Sequence, residues 1–345
     1  MTGTDFEGLR ASPGSSIRHN RPLIVASGAV AAFGIVFVLA GLDGWGPPAA
    51  NESPLGAASR WCERVSDGLL REPSNTLGNL GFVLAGLAML AILGRDVATD
   101  RPRSNAFIGY SPIALLYASA SVFLGPGSMV MHGTHTRFGA WIDNVSMVAY
   151  ILIPWLFNVS VLGRWTRGPL FGVYGLLLSV YAIGYWFAGP DLGIGLDLFG
   201  LSIGLWVVSE VLYRFWSPVL RWASGLMGFA VAAAFGVTPA DMASHPGRYW
   251  LVILLWLPGM LANRPAPDRR RYFPWYWVGT AAFLTAYAIW LTGAAGHPRC
   301  DPDAILQAHA VWHVLSAAAT FAFFLFLRTA LPSRQPTEAR DGTGP

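Results

Sequence analysis

Two histidines stand one helical turn apart in His309-Ala-Val-Trp-His313, and a second pair spaced by four, Ser128-Met-Val-Met-His132, closes an apolar run. Asp143 opens the next apolar run, eleven residues after His132. Residues four apart share a helix face. Two imidazoles so placed can chelate a zinc ion, and a third from another helix leaves the fourth tetrahedral position open for water. With the Asp143 carboxylate and the Ser128 hydroxyl beside it, such a centre suits hydrolysis. Plainer roles are open for each residue: helix-packing or interfacial histidines, a serine bonded to its own helix backbone, an aspartate capping a helix. His135 could compete as a ligand, but its position three residues beyond His132 puts it in a loop.

These residues need a scaffold, and the composition names its solvent. Of 345 residues 54% are hydrophobic and only 12% charged, about half the charged fraction of a soluble domain. That excludes a soluble enzyme, a disordered chain and a collagen-like one. Apolar runs occur near 23–42, 75–93, 107–131, 141–162, 169–188, 194–213, 222–237, 249–262, 274–294 and 304–328. At about 20 residues per span they predict a polytopic membrane bundle of about ten helices, the run at 249–262 being the shortest. No small-residue cleavage site follows the first run, so it reads as a retained helix.

The chain has no lysine, and its 23 basic residues are all arginine. They sit in short stretches between apolar runs, where they mark topology and not nucleic-acid binding. With a cytoplasmic N-terminus, seventeen arginines fall on inside segments and six outside, as the positive-inside bias requires. Both termini are then cytoplasmic, and the segments bearing His132, Asp143 and His309 reach the membrane on the outer side. Cys62 and Cys300 also fall outside, where one bridge can persist.

At this point the sequence resembles the alkaline ceramidases, within a larger superfamily of seven-helix membrane hydrolases that includes adiponectin-receptor-like proteins. The resemblance rests on Trp61-Cys62-Glu63, Glu72-Pro-Ser-Asn75-Thr76, Ser128-Met-Val-Met-His132, Asp143-Asn-Val-Ser-Met147 and His309-Ala-Val-Trp-His313, in the family's order over residues 61 to 328. It implies a Zn2+ site with His132, His309 and His313 as ligands, Asp143 and Ser128 as catalytic groups, and a Cys62–Cys300 disulfide. It also implies a second cation site, for Ca2+, around Trp61, Glu63 and Glu72. There the sequence departs: Arg60 and Val65 stand where the family has oxygen-bearing side chains, and calcium needs oxygen ligands. Arg60 is expected to pair with Glu63 and Glu72 in the cation's place. Asn75 and Asn79 are expected to hydrogen-bond between helices, whereas Asp197 and Glu210 carry no motif.

The implied fold is all-α: a seven-helix ceramidase-like core, an additional N-terminal helix and one additional helix pair between the runs at 194 and 274. The expected divisions are a cytoplasmic tail at 1–21, the additional helix at 22–42, the ceramidase-like domain at 43–330 and a cytoplasmic tail at 331–345. The expected function is a zinc-dependent intramembrane amidase that cleaves the N-acyl bond of ceramide-like lipids taken from the bilayer, with membrane lipids as its surroundings. The alternative is a membrane receptor or sensor in which zinc only ties helices together. No protein partner is inferable, and the paired repeats of a transporter are absent from the sequence.

Overall fold

A computed structural model describes residues 19–234 and 238–332, and it is mostly helical with almost no sheet. Most of the two expected tails, 1–18 and 333–345, lies outside the described residues. Two short turns of helix (Pro239–Ser244 and Pro246–Tyr249) aside, the helices are α1 (Arg21–Gly41), α2 (Pro73–Gly78), α3 (Leu80–Ala98), α4 (Pro112–Thr134), α5 (Arg137–Leu162), α6 (Arg167–Ala188), α7 (Leu198–Phe215) and α8 (Pro218–Ala234). A 3-10 segment (Trp250–Trp256) leads into α9 (Leu257–Leu261), followed by α10 (Trp275–Leu291) and α11 (Ala308–Leu327).

The starts of these helices are legible in local chemistry. Prolines occupy the first turns of α1, α2 and α4, where a missing N–H costs nothing. The Ser111 and Thr136 hydroxyls accept from the amides of Ala114 (3.2 Å) and Gly139 (3.0 Å), capping α4 and α5. Asp197, without a motif in the sequence, caps α7 by accepting from the Gly200 amide at 2.9 Å.

Among the described residues seven helices are long and apolar enough to cross a membrane: α1, the continuous stretch Pro73–Ala98, α4, α5, α6, α7 and α11. Helices α8 and α10 have 17 residues each, a rise of about 26 Å and near the lower limit for a span. The run at 249–262 departs from the expectation of a span. Its twelve helical residues are split between seven of 3-10 and five of α-helix. With α8 it forms a helical pair packed on α7 and α5, at the place where an additional pair is expected. Trp256 lies where a side chain on Gly225 would be, so the pair is packed closely.

Helix α5 is the hub, packing against α4, α6 and α7, and α11 is wedged between α10 and α3. Apolar side chains on α1 (Ile24, Val25, Ile35, Leu39) and α6 (Leu176, Val180, Ile183, Phe187) face outward, as a hydrocarbon solvent allows. At the end of the bundle remote from the histidines, charge is paired. Arg328 grips Asp96 at 2.6 and 2.9 Å. Arg270 meets Glu210 at 2.6 Å, and Asn158 and the Tyr272 hydroxyl donate to the same carboxylate at 2.9 and 2.7 Å. A lone buried charge would be costly there, and each of these has a partner.

Candidate metal centre

The first candidate side chain comes from the last turn of α4. Ser128 and His132 project from one face, and α4 can lie against α5 there because residue 127 is glycine: a Cβ on it would sit 2.4 Å from the Ser146 hydroxyl and 3.1 Å from the Ile142 carbonyl. Beyond His132 the helix ends with His135 in the left-handed region, φ 50°. The terminal carbonyls of α4 are taken up by the segment before α2. The Arg71 amide donates to Gly133 (3.1 Å), the Glu72 amide to His132 (3.0 Å), and the Arg71 guanidinium to Thr134 (2.6 Å).

The other two imidazoles come from the first turns of α11. Gly78 lets α2 approach that turn, since a Cβ there would lie 2.9 Å from the Ala310 carbonyl. His309 Nε2 and His313 Nε2 each come within 3.2 Å of His132 Nε2, and all three rings are buried. One ligand nitrogen from each of the three lies within 4.8 Å of the others. Imidazole nitrogens held about 2.0–2.1 Å from a tetrahedral ion are about 3.3 Å apart, so this group could hold a metal ion and its spacing is compatible with zinc.

His132 is oriented from behind. Its Nδ1 is hydrogen-bonded to the Glu72 carboxylate, leaving Nε2 directed at the other two histidines, the usual arrangement for a metal-binding imidazole. His309 is held differently. The Trp61 ring stacks on it at 4.4 Å with an interplanar angle of 14°. Trp61 is fixed in turn by the Cys62–Cys300 disulfide, whose Cα atoms are 5.6 Å apart. The same two loops are joined by the Arg64 amide donating to the Pro302 carbonyl (2.9 Å) and by a two-pronged Arg64–Asp303 ion pair at 2.6 Å. Asp143, in the second turn of α5, is placed for a hydrogen bond from the Ser128 hydroxyl and interacts electrostatically with His132. Its Oδ1 is buried without a partner.

The residues expected at a calcium site are otherwise engaged. Both Glu63 oxygens accept backbone amides at the start of α2, from Ser74 at 2.7 Å and Asn75 at 2.8 Å. The Glu72 oxygens face His132, His135 and the Asn75 side-chain amide, and Trp61 presents its ring to His309. This set does not fit calcium, which needs about six to eight converging oxygens. Arg60 does not take the cation's place either: it pairs with Glu52 at 3.9 Å and lies over the Trp61 ring at 4.8 Å. A helix N-terminus balances Glu63 and two imidazoles balance Glu72, so neither requires the guanidinium. Burial pushes the Glu63 carboxyl up against the opposing pull of the Asn75 and Ser74 amides. Burial would do the same to Glu72, but His132 and His135 outweigh it and hold the group well below the usual carboxylate range.

Three features were not anticipated. His135 lies in the short connection between α4 and α5 and outside the ligand group, as expected, but it is not solvated. It is buried between Glu72 (3.1 Å) and Glu52 (3.6 Å). Glu52 and Arg71 belong to no motif, so no spacing could reveal either. Asn79 and Asn75 bond locally, Asn79 to the Asn75 carbonyl at 2.9 Å and Asn75 to Glu72 at 3.2 Å, and not between helices.

Below the histidines lies a cavity of about 390 Å³. It runs from Ser128 and His313 past Tyr150 and Trp206 to Glu210 and Phe323, with mainly apolar walls. Ten residues of α11 separate His313 from Phe323, a rise of about 15 Å. That is about half the hydrocarbon thickness of a bilayer, the depth of one leaflet.

A family model described as Ceramidase matches residues 54–341. No curated protein matches the sequence.

Proposed function

The chain belongs to the ceramidase family, and from that premise we propose that it is a zinc-dependent intramembrane amidase, hydrolysing the N-acyl bond of ceramide-like lipids to a fatty acid and a lipid amine. The observation that carries this reading is the meeting of three buried imidazole Nε2 atoms at the mouth of an apolar cavity one leaflet deep. His132, His309 and His313 would hold the ion. When bound there, zinc supplies Lewis acidity to water and to an amide carbonyl.

The remaining roles belong to the chain. Asp143 has an oxygen free of protein partners, and it accepts the proton of the attacking water as the new C–O bond forms. Ser128, whose hydroxyl rotates to suit its partner, donates to the carbonyl oxygen as charge develops on it. The C–N bond then breaks, and Asp143 returns its proton to the departing amine. Glu72 keeps His132 in one tautomer throughout, and the Trp61 stack fixes the His309 ring. The cavity walls accept the lipid chain and exclude bulk water. The arginine distribution and the disulfide support an orientation with the centre toward the extracytoplasmic side and both termini cytoplasmic.

The test uses purified full-length protein in detergent. Metal content and release of free fatty acid and amine from N-acyl sphingoid lipids are measured on the same preparation. About one zinc per chain with stoichiometric release of both products is expected. Zinc-loaded protein that hydrolyses no acyl amide across a broad lipid panel would overturn the enzyme reading in favour of a zinc-stabilised receptor.

A further inference from the structure

Resting on that reading, one feature of the cavity deepens it. A cavity made for a plain hydrocarbon chain should present either apolar side chains or polar ones already satisfied by the protein. Most polar groups on its wall obey this. The Tyr150 and Tyr117 hydroxyls bond each other at 2.6 Å. Glu210 is occupied by Arg270, Asn158 and Tyr272, and Ser128 faces Asp143.

Two groups break the rule. The Ser316 hydroxyl and the Trp206 indole N–H belong to residues lining the cavity, and both atoms are buried without a hydrogen-bond partner. Ser316 is only 8% exposed. A serine within a helix can bond back to the carbonyl four residues earlier, and this one does not. Its position is informative as well. It lies three residues beyond His313 on α11, a rise of about 4.5 Å, so it sits one turn into the cavity from the metal-binding nitrogens. A chain whose amide carbonyl lies at those nitrogens passes Ser316 within its first few carbons. A hydroxyl both donates and accepts, so a chain hydroxyl at that level would satisfy Ser316 in either sense.

We propose that Ser316 is a specificity-determining residue forming a subsite for a hydroxyl group carried on the lipid chain that fills the cavity, within the first few carbons of the scissile amide. The hydroxyl belongs either to the acyl chain or to the alkyl chain of the amine. The unpartnered Trp206 N–H, deeper along the same wall, independently indicates a ligand that is more than hydrocarbon. Discrimination follows from the cost of burying Ser316 unpartnered beside a plain chain, about tenfold in kcat/KM for a neutral hydrogen bond.

The experiment compares four amides in detergent: hexadecanoyl, 2-hydroxyhexadecanoyl and 3-hydroxyhexadecanoyl amides of hexadecylamine, and the hexadecanoyl amide of a 3-hydroxylated hexadecylamine. Wild type, Ser316→Ala and Trp206→Phe are assayed for kcat/KM. Binding is followed separately by thermal shift of the zinc-loaded protein, which reads the subsite with or without turnover. The expected result is a preference of about tenfold for a hydroxylated amide in wild type, falling to within about twofold of unity in Ser316→Ala. The favoured hydroxylated compound identifies which chain enters the cavity. Equal hydrolysis of all four amides by wild type refutes the subsite and leaves the amidase reading standing. Hydroxyl-dependent binding without turnover does the reverse. A preference that survives Ser316→Ala and vanishes in Trp206→Phe overturns the assignment to Ser316.

Discussion

Replacing Glu72 by glutamine tests whether the centre is held from behind as the geometry requires. Glu72 is fully buried, and its carboxylate touches both His132 Nδ1 and His135 Nε2. Glutamine keeps the shape and one acceptor but removes the charge and puts an N–H₂ where an imidazole N–H must be accommodated. If the amide oxygen still faces His132, its nitrogen faces His135; if it flips, His132 loses its acceptor. Loss of such an outer partner weakens metal affinity by about 10- to 100-fold, or about 1.4–2.7 kcal/mol. Glu63→Gln provides the contrast. Glu63 also meets the start of α2, but it accepts the amides of Ser74 and Asn75 and does not touch a histidine. Its loss should cost about 0.5–2 kcal/mol of stability with zinc affinity within about threefold of wild type. Competition with a chromogenic chelator measures the affinities, and thermal unfolding of zinc-free protein measures the stabilities. If Glu72→Gln binds zinc as wild type does, or if Glu63→Gln weakens zinc as much, the orienting role of Glu72 is wrong.

The other expectations are briefer. His309→Ala or His313→Ala should remove most of the zinc, measured by elemental analysis, since two imidazoles leave the site unsaturated. Asp143→Asn should keep its zinc while losing about 10²- to 10⁴-fold in turnover; simultaneous loss of metal would make Asp143 a ligand or a structural support of the centre. Peptide mapping without reductant should find Cys62 linked to Cys300. Trp61→Ala, which leaves that bridge in place but removes the ring stacked on His309, should lower zinc affinity, and unchanged affinity would show the stack to be incidental.

The parts of this architecture that were legible in sequence are those written in local periodicity. Hydrocarbon demands long apolar runs, and a shared helix face demands spacing by four. Thus the helical bundle, the pair His309 and His313, and the pair Ser128 and His132 could be read directly. The run at 249–262 was harder because run length does not distinguish an α-helix from the 3-10 winding at Trp250–Trp256. The supports of the centre were not legible at all. Glu72 reaches His132 across 60 residues, and His135 reaches Glu52 across three intervening helices. Such contacts follow from how α2 seats against the end of α4, and no periodic signal records them. The tested substitute for a calcium ion failed for the same reason. Arg60, Glu63 and Glu72 are neighbours in sequence, yet Glu63 turns to a helix terminus and Arg60 to Glu52.

The pattern of satisfied and unsatisfied charge separates scaffold from chemistry. Away from the histidines, Asp96 and Glu210 within the bundle each meet a guanidinium at 2.6 Å. Near the histidines Glu63 has a helix terminus, and Glu72 has two imidazoles. Removing one member of such a pair would strand a charge in a medium of low dielectric, so each is fixed and chemically quiet. Asp143 differs: among the described residues it joins no ion pair, and one of its oxygens has no protein partner. A carboxylate tolerated inside a membrane protein without a fixed countercharge is best explained by a transient partner. The three imidazoles beside it supply the place for a cation, and the cavity beneath supplies the place for an amide. The same criterion, applied to a neutral group, singles out Ser316. Stability alone would favour alanine at that position, since an unpartnered buried hydroxyl contributes nothing to the folded state that a methyl group would not. Its presence one turn below His313 is therefore informative about what the cavity holds and not about how the helices pack.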